Sequence, residues 1–465
     1  MWRLVVSTAL VSAVAAVALG VWAPSASSSN DPYFPEQWDL ARINAPAAWT
    51  RSTGLGVKIG VVDTGIDLTH EDLASKISDS VSCIGAHDLP AACTGSAQDD
   101  QGHGTHVAGI AAAVTGNDKG VAGVAPDARL VVVKALGSSG SGALNDVNAG
   151  IKWAVDRGAR VINLSLESDG NEVMTVPGQS LNEGVDYAYN HNAVVVVAAG
   201  NATPSLFGSA GYANVNAVIV GATGRNDEVA WYSSPLTGAK WGLVAPGGDA
   251  RGPDGSASCA GSLAADCIVS TGWFSGKTNQ YADDEGTSMA TPQVAGVLAL
   301  VMAQNPALTA VAAVQRVLTT VDHVACGDGC RGRLDAAAAV GAPLSPSNPT
   351  TAAAGSADSS PAGVLPAASP STTPSGPPPS NPTAQGPSLT TVLSPSSTLA
   401  PEAPLAASPL QAGPFADPLR PLATSGRTRR HVSDVAIEAA VVALILLAAE
   451  AALLARAWLR GDAGR

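Results

Sequence analysis

Ser288 sits in the stretch EGTSMATPQVAG, residues 285 to 296, where the small-residue turn Gly286-Thr287-Ser288 runs directly into an apolar segment with helical spacing. Pro292 falls within the first turns of that segment, although proline deprives a helix of an N–H. A serine hydroxyl is a poor nucleophile until a neutral imidazole takes its proton, and the imidazole needs a carboxylate to hold its tautomer and stabilise its cationic form. Candidates for both partners stand at well-marked places. Asp63 ends the apolar run of VKIGVVDTGID, just before Thr64-Gly65, and His103 opens the helical segment of DDQGHGTHVAGIAAAV. Asn201 follows the run VVVVAAGN and offers a side-chain amide to a developing oxyanion, with the backbone N–H of Ser288 as second donor. Taken singly, Asp63 reads as a turn residue, His103 as a polar helix start, Asn201 as a turn former and Ser288 as an N-cap. Those readings do not explain why all four fall where a strand ends or a helix begins. His106, one turn beyond His103, reads as a packed histidine, not a second base. Two formal glycosylation sequons, Asn163-Leu164-Ser165 and Asn201-Ala202-Thr203, are discounted because both lie in this candidate site.

The elements that must position these residues are legible around them. Short β-branched runs, VKIGVVD, RLVVVK, RVINLSL, AVVVVAAG and NAVIVGA, alternate with helical stretches such as GALNDVNAGIKWAVDRGA. In that helix Leu144, Val147, Ile151 and Val155 recur at three- and four-residue steps and make one apolar face. Continuously apolar strands joined by amphipathic helices imply an α/β fold whose mainly parallel sheet is covered on both sides, and ligands in such folds collect at the carboxyl ends of the strands.

The chain order Asp, His, Ser points among serine hydrolases to the subtilisin arrangement. DTGID, HGTHVAGI, AAGN and GTSMATPQVAG, in that order, resemble the signature segments of the subtilase family of serine endopeptidases. Residues 30 to 49, NDPYFPEQWDLARINAPAAW, are similar to the N-terminus of its thermitase-like branch. The resemblance covers residues 30 to 340 and implies the subtilisin-like fold, a three-layer α/β/α arrangement, with hydrolysis through an acyl-enzyme. It also implies the substrate contacts: Ser165-Leu166 as one edge for an extended peptide, Gly140, Ser141 and Gly142 as the other, with Leu136, Ala199 and Gly200 beside them. Glu167 stands where the family usually has glycine, which puts a carboxylate at the rim of the primary specificity pocket. Asp31, Asp72 and Asn117 match positions where relatives hold calcium, so a structural calcium is expected, whereas catalysis needs no cofactor.

The 465 residues, 46% of them hydrophobic, suffice for one large core and extra segments. A formal charge of −13 without a basic patch in the core argues against nucleic acid as a partner. Residues 1–29 read as a signal peptide, 30–340 as the peptidase domain and 341–430 as a disordered linker rich in Pro, Ala, Ser and Thr. Residues 435–458 read as a transmembrane helix, weakened by Glu438 and Glu450, and 459–465 as a short cytoplasmic tail. A single-pass protein of the cell membrane with an extracellular catalytic domain is expected. Six cysteines suit that compartment; of fifteen connectivities, the local pairs Cys83–Cys93, Cys259–Cys267 and Cys326–Cys330 are expected. The layout is similar to that of the secretion-associated mycosins, which adds a secretion-machinery partner to polypeptide substrates and the membrane. An anchored endopeptidase leads; a catalytically silent accessory module in a surface or secretion complex, and an esterase using the same triad, are the alternatives.

Overall fold

Valine and isoleucine runs become strands, because branched side chains fit a pleated, buried surface. Such runs make β1, β3 and β5 to β7, while others such as β4, β10, β11 and β12 lack Val and Ile altogether; in order the strands are β1 (Lys58–Asp63), β2 (Ile77–Ser82), β3 (Arg129–Lys134), β4 (Ser141–Ala143), β5 (Val161–Leu164), β6 (Val194–Ala198), β7 (Ala217–Thr223), β8 (Trp241–Pro246), β9 (Ile268–Phe274), β10 (Lys277–Asp284), β11 (Cys330–Arg333), β12 (Pro409–Gln411) and β13 (Arg420–Pro421). The helices are α1 (Trp38–Arg42), α2 (Ala45–Ala48), α3 (His103–Ala112), α4 (Leu144–Asp156), α5 (Asn182–Asn190), α6 (Thr287–Gln304), α7 (Ala310–Leu318) and α8 (Ala336–Val340). These elements come from a computed structural model that describes residues 29–166, 181–201, 212–251, 259, 261–275, 277–341, 409–411 and 420–421. The chain divides into two units, Met1–Arg420 and Pro421–Arg465, and the architecture below belongs to the first.

Eight strands form one sheet in the order β11-β8-β7-β6-β5-β1-β3-β2, and every neighbouring pair is parallel. Alternate residues feed opposite faces, as the period of two requires. Ile59, Val61, Leu130, Val132, Val194 and Val196 join one core with α3 and α6. Val62, Val131, Val133, Val195 and Val197 join a second core with α4 and α5. The result is the expected three-layer α/β/α arrangement, in which each fully buried Val, Leu or Ile contributes about 1.5–3 kcal/mol. The apolar face read on α4 is the buried one: Leu144, Val147, Ile151 and Val155 pack inward while Asp156 is exposed.

The three disulfides are Cys83–Cys93, Cys259–Cys267 and Cys326–Cys330, the local pairing. One departure from the sequence reading falls in the stretch expected to be a disordered linker: residues 409–411 form β12, antiparallel to β4. A three-residue strand needs only a free backbone edge, which composition does not reveal. Of the expected signal peptide, residues 1–28 lie outside the described residues, as does the expected membrane helix 435–458. Among the described residues no helix is long and apolar enough to cross a membrane.

Helix α3 is seated on the β9–β10 hairpin by two hydroxyls: Ser270 Oγ donates to His106 O at 2.8 Å and Thr271 Oγ1 to Thr105 O at 2.7 Å. Gly109 lets the helix come that close, since a Cβ there would overlap both hydroxyl oxygens. Gly109→Ala is therefore expected to destabilise the fold by about 1–3 kcal/mol, the usual range for overpacking, read in equilibrium unfolding as a lower urea midpoint at unchanged m-value.

Candidate active site

Three adjacent strands, β6, β5 and β1, deliver residues to one edge of the sheet. Val61 pairs with Asn163 across β1 and β5, so two residues on Asp63 lies level with Ser165; Asn201 follows the end of β6 by three residues. Asp63 has no exposed surface. Its Oδ1 accepts from Thr64 N at 2.7 Å and pairs with His103 Nδ1 at 2.8 Å. This fixes the imidazole with Nδ1–H toward the carboxylate, leaving Nε2, which has no hydrogen-bond partner among the described residues, as the end that exchanges a proton.

His103 is the first residue of α3, and the turn before it is organised by Asp99, a carboxylate the sequence reading passed over. Asp99 Oδ1 accepts from Thr64 Oγ1, Gln101 N and Gly102 N, and Oδ2 from Thr105 N and Thr105 Oγ1, all at 2.5–3.0 Å. Thr64 Oγ1 accepts from Gly104 N at 2.9 Å, and a Cβ at position 104 would overlap Gly65 O, so small residues in HGTH let α3 rest on the end of β1. Lys134, level with Asp63 on β3, is a second residue missed. The residue is 7% exposed, and its ammonium spans Thr64 O at 2.7 Å, Leu136 O at 2.9 Å and Asp100 Oδ1 at 2.6 Å. An acidic residue three to four positions before the helix was the available signal for Asp99; a lone lysine closing an apolar strand was the signal for Lys134.

Burial pulls the His103 pKa down, but the charge and hydrogen bond of Asp63, with the charges of Asp284 and Asp99, outweigh it and hold the ring up to about 9. His106 has no such partner. Burial takes it down to about 3, and its Nε2 faces Ala282 O at 3.2 Å, so it is the packed neutral histidine read from the sequence.

Ser288 is the second residue of α6 and its N–H has no partner within the helix, as for any first-turn amide. Pro292 lies four residues on and lacks the N–H that would bond to Ser288 O. Ser165 Oγ takes that role, donating to Ser288 O at 2.9 Å, while Ser288 Oγ donates to Ser165 O at 3.3 Å. Asn163 Nδ2 donates to Ser165 Oγ at 3.0 Å and fixes the hydroxyl between them. Asn201 is placed from the other side. Its Oδ1 accepts from Thr287 N at 3.0 Å and Thr287 Oγ1 at 3.1 Å, so the amide presents Nδ2 as its donor end, 3.3 Å from where a Cβ at Gly286 would stand. Asn163 and Asn201 are 0% and 4% exposed, which bears out discounting both as glycan acceptors.

The family model described as Subtilase family matches residues 54–355, well over half of the chain. The chain belongs to the subtilase family. It is 38% identical to thermitase of Thermoactinomyces vulgaris over 315 residues, 67% of this chain and 98% of that protein. It is 42% identical to subtilisin Savinase of Lederbergia lenta over 271 residues, 58% of this chain and 85% of the other. Among solved structures, one of proteases from Pseudoalteromonas arctica matches at TM-score 0.56 and 32% identity, covering 68% of this chain and 99% of its own.

The subtilase substrate edges expected from the sequence are also placed. Ser165 and Leu166 are buried at the end of β5, and Glu167 lies outside the described residues. Gly140 turns into β4, which contains Ser141 and Gly142. Leu136 is buried and its N–H donates to Asp63 O at 3.1 Å, tying the approach to β4 to the end of β1. Ala199 O accepts from Tyr212 Oη at 3.0 Å, and Gly200 N donates to Thr287 Oγ1 at 3.2 Å. At the expected calcium position, Asp31 and Asp72, from two separate segments, converge on the loop that carries Asn117. Asp31 accepts from Gly116 N and Asn117 N at 2.8–3.1 Å, and Asp72 accepts from Asn117 Nδ2 at 2.8 Å, Val121 N at 3.1 Å and Tyr281 Oη at 3.0 Å.

With the His103 pKa held up to about 9 by Asp63, the fraction of rings whose Nε2 is free to accept a proton grows as pH rises toward that value. A ring-proton NMR titration should therefore find a midpoint near 9, and Asp63→Asn should move it toward or below the ordinary value of about 6.5, because the downward push of burial then meets less opposition.

Proposed function

We propose that this chain is a serine endopeptidase in which Asp63, His103 and Ser288 act as one unit. The observation that carries the proposal is the buried 2.8 Å pair of Asp63 and His103, which orients the imidazole at the same sheet edge that receives Ser288. His103 Nε2 takes the Ser288 hydroxyl proton as Oγ attacks the substrate carbonyl, and returns it to the leaving amine; water then hydrolyses the acyl-enzyme by the reverse sequence. The Asn201 amide and the Ser288 N–H, at the positive end of α6, receive the oxyanion. An extended polypeptide fits between Ser165-Leu166 and Gly140-Ser141-Gly142, edges that hold it through main-chain groups and so accept many sequences. Three disulfides support a site of action outside the cytoplasm, on exported or envelope proteins, and the sequence of 435–458 supports an anchor.

Steady-state kinetics on a peptide substrate test this. Ser288→Ala should retain the fold and lose nearly all hydrolysis. Asn201→Ala should lower kcat by about 100- to 1000-fold with little change in KM, the size of loss known for an oxyanion asparagine in subtilisin. Substantial hydrolysis by Ser288→Ala would remove the assignment.

Structural calcium belongs to the same proposal. Two carboxylates and an amide brought together from three segments, Asp31, Asp72 and Asn117, are the oxygen donors a hard cation takes, and it would do so in exchange for the Asn117–Asp72 hydrogen bond. An ion held only by the folded chain should raise Tm with calcium concentration, and Asp72→Ala should abolish most of the rise. A Tm indifferent to calcium and chelator would count against the site.

A further inference from the structure

Strand β4 is a short edge: Ser141, Gly142 and Ala143 are each partly exposed and belong to no part of the eight-stranded sheet. Its inner side is fully committed. A Cβ at Gly142 would overlap Ala135 O and lie 2.7 Å from Leu136 Cδ2, so β4 rests directly on the segment that leads from β3. The outer side offers the backbone N–H and C=O groups of an unpaired strand, which any extended chain can take up. In this structure the chain takes them up itself. Residues 409–411 lie antiparallel to β4, with Pro409 opposite Ala143, Leu410 opposite Gly142 and Gln411 opposite Ser141.

We propose that the segment 409–411 is an inhibitor in cis, which occupies β4 as a substrate strand would and must leave before a polypeptide can bind there. The proposal rests on the endopeptidase reading above, in which β4 is one of the two edges that grip the substrate. Reach is no obstacle: the 68 residues from 341 to 408 separate α8 from β12, and a chain extends up to about 3.3 Å per residue, several times the diameter of a domain. Covalent attachment makes the docking intramolecular, so that three residues of main-chain pairing compete at an effective concentration rather than at the bulk concentration of a free peptide. The contact is weak enough to yield. Pro409 has no N–H, so only Leu410 and Gln411 can donate from this strand, and successive residues of a strand donate to opposite sides. The partner needs no special sequence, because β4 pairs through its main chain.

Three proteins test the proposal: wild type, the double variant Leu410→Pro with Gln411→Pro, which removes both remaining N–H donors, and an otherwise intact protein lacking residues 406–414. A fourth, lacking residues 356–364, controls for linker length. A peptide long enough to lie along β4 should show KM lower by about threefold or more, at unchanged kcat, in the double variant and the 406–414 deletion, but not in the control. A small acetyl ester, which does not extend to β4, should be turned over equally by all four. Fluorophosphonate labelling of Ser288 reads the triad independently. If all four proteins are labelled and KM is the same throughout, this inference falls while the endopeptidase reading stands. If none is labelled and none hydrolyses peptide, the endopeptidase reading falls and takes the inference with it. Cleavage of the purified wild-type chain between 405 and 421 would also overturn it, since the segment would then be a substrate and not a standing inhibitor.

Discussion

A carboxylate with no exposed surface ends β1, an interior strand of the sheet, and much of the site is arranged around the groups that bond to it. An ionised group buried without donors and counter-charge costs several kcal/mol, so Asp63 persists only because Thr64 N and His103 Nδ1 bond to it. Those two partners require that the helix carrying His103 begin against the end of β1. Asp99 enforces this by collecting the N–H groups of Gln101, Gly102 and Thr105 together with the Thr64 hydroxyl, and Gly104 permits it by leaving room for Gly65 O. Lys134 closes the opposite flank, gathering Thr64 O and Leu136 O and thereby holding the approach to β4 against the same strand end. One buried charge thus dictates where α3 starts, how it packs and where the chain after β3 runs.

The nucleophile's side of the site answers a different constraint, the presence of a proline in a helix. Pro292 would ordinarily leave Ser288 O without its partner, a cost comparable to a lost hydrogen bond in a buried place. Ser165 Oγ supplies the missing donor, and the distance between β5 and α6 is set by that contact and by its return bond from Ser288 Oγ. The proline therefore joins the first turn of α6 to the end of β5. The same turn is gripped by Asn201 through Thr287, so the helix start is held from two neighbouring strands at once.

Much of this was legible in the sequence because it follows from periodicity and residue chemistry. β-branched runs ending in Asp63 or preceding Asn201 announced a parallel sheet and its carboxyl edge, and the cysteines paired with their neighbours along the chain. What stayed hidden depends on which groups meet across the fold. Asp99 was one acid in a polar turn until its five donors converged; Lys134 looked like a strand terminus; the exchange between Ser165 and Ser288 spans 123 residues. The pairing of β12 with β4 was the least visible of all, since Pro-Leu-Gln in a proline-rich stretch carries no strand signal of its own and acquires one only from the edge it meets.

That last point bears on why such an edge invites its own chain. Recognition through side-chain pockets discriminates among sequences, and a protein using it can exclude its own segments by composition alone. Pairing with the backbone of Ser141–Ala143, as β12 pairs, has no comparable filter, because every residue except proline presents the same N–H and C=O. A chain that carries both an open edge of this kind and a long tethered stretch holds the stretch at high local concentration around the edge, and self-pairing is the default outcome unless the stretch is poor in donors. The proline-rich composition between 341 and 430 bears on this directly: each proline removes an N–H able to pair, so self-pairing at β4 is weaker than pairing by a polypeptide with a full set of donors.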